Sequence, residues 1–118
     1  MTLEIKERRN SVVLMERVPV EDVERLFLYP EHYQRLVHRL GDQSQVYVHI
    51  FASGVTGEVK VLGVSVKPDG IETGEISDVI GKGAIPFLKG RMDDISESLT
   101  GYTHLPLYAV DIHSTQSE

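Results

Sequence analysis

Cysteine is absent from this 118-residue chain, and that absence removes disulfides, thiolate zinc sites, iron–sulfur clusters and thiol nucleophiles together. Long apolar runs are missing as well. The uninterrupted ones are short, as in VVLM at 12–15, against the roughly 20 residues that a bilayer-spanning helix needs. The opening MTLEIKERRN carries charges where a signal peptide would have its apolar core, so a cytoplasmic protein without a membrane span is expected. Positive charge is also in deficit: 18 acidic against 12 basic residues leave a net charge of -6. That balance opposes the cationic, counterion-releasing contacts that drive non-specific binding to nucleic acid or anionic lipid, unless a local basic patch overrides it.

Catalytic signatures are equally scarce. There is no Gly-x-Ser-x-Gly elbow to expose a serine nucleophile. The five histidines, His32, His38, His49, His104 and His113, form neither His-Glu-x-x-His nor His-x-His, so a metal site would need long-range convergence and none is expected. The acidic group Asp93, Asp94 and Glu97 lies in a polar run, whereas paired-carboxylate catalysis needs a carboxyl held in a cleft with a raised pKa. No catalytic residue and no cofactor is assigned from these patterns.

What is present fits one folded domain. Hydrophobic residues make up 41% and charged residues 25%, the usage of ordinary globular proteins, and the length suits a single hydrophobic core. A domain over 1–113 is expected, with the polar STQSE at 114–118 frayed.

Hydrophobic periodicity gives the elements. TLEIKE alternates with a period of two, and SVVLMERV follows it after the polar RRN, so the pair reads as a hairpin with the second strand central. From Pro19 the period lengthens. Val20, Val23, Leu26 and Phe27 mark a first helix, which Pro30 must bend and restart, because proline has no amide hydrogen and disfavours helical geometry at Tyr29. Tyr33, Leu36, Val37 and Leu40 continue as its buried stripe, and Gly41 stands where a left-handed terminating residue belongs.

QVYVHIFA alternates cleanly, placing Val46, Val48, Ile50 and Ala52 on one face and Tyr47, His49 and Phe51 on the other. EVKVLGVSVK keeps Val59, Val61, Val64 and Val66 together only if one extra residue bulges near Leu62 and Gly63. Thr73 caps a second helical region with apolar positions from Ile76 to Leu99, ended by Gly101, and LPLYAVDIH supplies a last strand entered at Pro106. The order predicts an α+β fold, a ferredoxin-like βαββαβ sandwich with an extra N-terminal strand and both helices on one face of an antiparallel sheet.

Three candidate sites follow. Tyr47, His49 and Phe51 make an apolar outer sheet face; such a face left uncovered invites pairing with another subunit, and a self-associating, non-enzymatic binding module, a homodimer, is the leading expectation. With Arg8, Arg9, Arg35 and Arg39, the same aromatics form the alternative, a surface for stacking and neutralising single-stranded nucleic acid, although EVKVLGVSV lacks the aromatic signature of an RNA-recognition motif. A small cofactor-independent enzyme with a pocket near His49 is a further alternative by analogy of fold.

The third site is VIGKGAIPFLKGR at 79–91. Gly81 and Gly83 free backbone amides, and Lys82, Lys89 and Arg91 add charge, which suits weak anion binding. The spacing is not that of a Walker loop. Continuing a helix through Pro86 costs about 3 kcal/mol, with roughly 1 kcal/mol more for each glycine, so 81–85 is expected to break the segment, with Pro86 in the first turn of a new helix.

Overall fold

A computed structural model describes residues 3–5, 11–70, 83–99 and 107–109. Five strands form one sheet in chain order: β1 (Leu3–Ile5), β2 (Ser11–Pro19), β3 (Gln45–Ser53), β4 (Glu58–Ser65) and β5 (Tyr108–Ala109). The first four make an antiparallel meander, and β5 joins β4 in parallel, so the sheet is mixed. A 3-10 helix over Val20–Leu26 and α1 (Pro30–Leu40) lie between β2 and β3, while α2 (Ala84–Lys89) and α3 (Met92–Glu97) precede β5. The class is α+β, as expected, and β1 and β2 form the expected hairpin.

The ferredoxin-like strand order is not what these residues form. That order would separate the strands before and after the first helix by a third strand, whereas β2 pairs directly with β3. A crossover carries the chain to the opposite end of a sheet; here it returns to the end it left. Pro19 and Gln45 face each other in register, and the Val20 amide donates to the Ser44 carbonyl at 2.9 Å. The cause lies at Tyr29 and Pro30. Proline disfavours helical geometry at the residue before it, Phe27 and Tyr29 are extended with ψ of 135° and 126°, and the helical segment becomes an outward and a returning leg.

The outward leg is a 3-10 helix because its apolar residues recur every third position. Val20, Val23 and Leu26 share one face of a helix with three residues per turn, and Val23 and Leu26 are fully buried. Pro30 then opens α1, where its missing amide hydrogen costs nothing. Leu36 and Leu40 of α1 are buried and Tyr33 packs partly against the core. Val37, expected in that stripe, is 37% exposed, because a leg lying against the 3-10 helix and one layer of core buries a narrower arc than the sequence pattern suggested. Gly41 ends the helix with φ of +63°.

The strands meet their sequence pattern closely. Val46, Val48, Ile50 and Ala52 are all buried. His49 pairs with Gly63 and Ile50 with Val61, leaving Leu62 as the extra residue. That bulge keeps Val59, Val61, Val64 and Val66 in the core; without it a period of two would turn the last two outward. Residues of all four helices join the same cluster, so the described helices cover one face of the sheet.

Pro86 lies in the first turn of α2, which starts at Ala84, slightly inside the stretch expected to be broken. A second interruption was not expected. α2 stops at Lys89, Gly90 and Arg91 carry the turn, and α3 runs only to Glu97, so the segment after Pro86 is two short helices and not one continuing to Gly101. The helix expected from Thr73, the strand ends around Tyr108 and Ala109, and the 114–118 tail lie outside the described residues.

Candidate functional site

The sheet face away from the helices is built by register. β2, β3 and β4 present three rows across it: Val13, Phe51 and Lys60; Met15, His49 and Gly63; Arg17, Tyr47 and Ser65. Val13, Met15, Tyr47, Phe51 and the bulged Leu62 are half-buried, and Arg17 is exposed. The Lys60 ammonium stands 5.6 Å from the Phe51 ring centroid and 4.0 Å from the Glu58 carboxylate, so one corner of the patch is ringed by opposite charges.

His49 is only 2% exposed, at the centre of that face. Its Nε2 lies 2.8 Å from Ser65 Oγ, and Ser65 Oγ lies 2.6 Å from the Lys67 carbonyl oxygen. A hydroxyl has one hydrogen, and a carbonyl can only accept. Ser65 therefore donates to Lys67 and accepts from His49, which fixes the hydrogen of the imidazole on Nε2. The arrangement holds the ring in place and satisfies a buried polar group. His49 is not among the residues lining the cleft described next.

That cleft, of about 680 Å³, lies between the 3-10 helix and the start of α2. Asp22, Arg25, Leu26, Phe27 and Leu28 form one wall, and Gly83, Pro86 and Phe87 the other. With three residues per turn, side chains three apart eclipse: Val20, Val23 and Leu26 turn to the core, Leu26 also touching the cleft, while Asp22 and Arg25 border the cleft one turn apart and Leu28 borders it from beyond the helix end. Glu21 and Glu24 act instead on Tyr33, whose phenol is pushed above its ordinary pKa of 10.0 by burial first and then by those two carboxylates.

The walls meet at Gly83. Its amide donates to the Arg25 carbonyl at 3.1 Å, and a Cβ there would lie 2.6 Å from both the Arg25 Cβ and the Arg25 carbonyl oxygen. Only glycine allows this approach. The same bond bears on the anion reading, since the Gly83 amide is already committed. Arg91 is committed too: its Nε donates to the Glu16 carboxylate, its Nη1 donates to the Phe87 carbonyl at 2.8 Å, and its guanidinium sits 3.6 Å over the Phe87 ring. Lys89 is exposed in the last turn of α2. Gly81 and Lys82 lie outside the described residues.

Arg35 and Arg39 are exposed on α1, in the layer that covers the other side of the sheet from Tyr47 and Phe51, so the described residues do not unite these two parts of the nucleic-acid reading. Arg8 and Arg9 lie outside the described residues, as do His104 and His113. His32 packs edge-on to Tyr29 at 5.2 Å and His38 is exposed. Among the described residues no cluster of histidine and carboxylate side chains converges on a metal position, and no helix is long and apolar enough to cross a membrane.

Glu16 was missed by sequence reasoning. It occupies an inward position of β2, between Leu14 and Val18, and is 3% exposed. A charge within an otherwise apolar inward series is the signal that called for a buried partner; nothing in the sequence singles out Arg91 as that partner. Comparison of the chain with protein-family models, with curated proteins and with solved structures found no match.

Proposed function

We propose that this chain is a small, non-enzymatic, cytoplasmic binding module that self-associates as a homodimer through the outer face of β2, β3 and β4. One observation carries the reading: Val13, Met15, Tyr47, Phe51 and Leu62 are half-buried apolar side chains, grouped around the buried His49, on the side of the sheet that the described helices leave alone. Arg17, Lys60 and Glu58 stand around it. Apolar side chains inside a charged margin are the usual anatomy of an interface, and a margin of both signs lets two copies meet without like-charge repulsion. In a two-fold pair the patch covers itself.

Light scattering coupled to size exclusion tests this from low to high micromolar concentration. The expected result is a mass that rises to twice that of the chain, and that returns to the monomer value in Tyr47→Ala with Phe51→Ala while circular dichroism stays unchanged. A strict monomer at every concentration, indifferent to the double substitution, overturns it. Titration with single-stranded oligonucleotides at low salt tests the alternative, which requires affinity that falls steeply as salt rises.

A further inference from the structure

We infer that the cleft between the 3-10 helix and α2 is a binding site for a small zwitterion with an apolar side chain, the chemical class of the apolar α-amino acids. The site is separate from the outer sheet face and does not depend on the self-association reading. Its volume of about 680 Å³ falls within the range of small-molecule sites. Leu28, Pro86 and Phe87 supply an apolar end, and Leu28 is 39% exposed there.

The polar end selects the ligand. Asp22 and Arg25 sit one 3-10 turn apart on the cleft border, and among the described residues neither side chain is engaged in an ion pair. A ligand of one charge gains from one of them and is repelled by the other. A head group with an ammonium and a carboxylate on one carbon satisfies both: Arg25 donates to the carboxylate, and Asp22 accepts from the ammonium. The backbone of the two walls is also fixed, because the Gly83 amide is tied to the Arg25 carbonyl at 3.1 Å and Pro86 holds its φ by its ring, so ordering on binding is confined to the side chains.

Amide chemical shifts of the isotopically labelled full chain test this with L-phenylalanine, L-leucine, phenethylamine and phenylacetate. Saturable shifts at Arg25, Leu28, Gly83 and Phe87 are expected with both amino acids, and affinity about tenfold weaker with each single-charge analogue, the loss of one charge-assisted contact. Arg25→Gln, an exposed position, should keep the spectrum of the folded chain and bring L-phenylalanine down to the affinity of phenethylamine. Equal affinity for all four compounds, an unchanged affinity in Arg25→Gln, or no saturable shift at millimolar ligand overturns the inference.

Discussion

Arg91 Nε donates to the Glu16 carboxylate across 75 residues of chain, joining the centre of β2 to the turn between α2 and α3. The acceptor side chain is 4% exposed and the donor 20%, so the carboxylate has no bulk water as an alternative partner, while the guanidinium keeps one edge toward solvent. Arg91 is held on two further sides by the Phe87 carbonyl and ring. This explains why the helical segment breaks at Gly90 and Arg91: the turn brings the guanidinium back toward the sheet.

Removing one member of this pair leaves a desolvated charge. Arg91→Leu should destabilise the fold by about 3 kcal/mol in urea unfolding, and adding Glu16→Leu should recover most of that loss, because replacing both ions by apolar groups is often neutral. A double substitution as damaging as the sum of the two single ones would show that the carboxylate and guanidinium stabilise through separate partners.

Two glycines seven residues apart should respond to alanine with opposite signs. Gly83→Ala forces a Cβ to 2.6 Å from the Arg25 carbonyl oxygen, and a loss of about 1–3 kcal/mol is expected as the walls of the cleft separate. Gly90 has φ of -71° and a Cβ there would meet only the Phe87 carbonyl oxygen at 3.9 Å, so Gly90→Ala should stabilise by about 0.4–1 kcal/mol through the unfolded chain. Thermal unfolding of the two variants beside the parent measures both.

The His49 imidazole should carry its hydrogen on Nε2, visible in its ring nitrogen shifts. Ser65→Ala deletes the acceptor of that hydrogen and the donor to Lys67, with an expected loss of about 1–3 kcal/mol for the buried group left unsatisfied. A hydrogen on Nδ1 in the parent would contradict the geometry derived for this pair.

Tyr33 should ionise above the ordinary tyrosine range, followed through its phenol carbon resonance. Burial is the largest cause and Glu24 the next, so Glu24→Gln should lower the midpoint without restoring the ordinary value. Because the folded pKa lies above the unfolded one, the associated stability is fully present below pH 10.0 and is lost as pH rises from there through the folded value. Glu24→Gln should shrink that alkaline loss, which urea unfolding at successive pH values records.

The sequence by itself determined the pieces whose cause is local. Pro30 stops one helix and starts another through its own ring, the alternation of Val46 to Ala52 assigns strand faces, and Gly63 with Leu62 marks the bulge, because a period of two leaves one residue over. The placement of Pro86 in a first helical turn belongs with these. Tertiary structure alone decided which strands pair. The segment between Pro19 and Gln45 reads equally as a crossover or as two legs that return, and the choice rests on contacts such as Val20 to Ser44 and Phe27 against Tyr33, whose rings meet edge-on at 5.8 Å. The cleft and the Glu16–Arg91 pair exist for the same reason: each joins residues distant in the chain, and a local pattern records that a buried charge needs a partner without recording where that partner comes from.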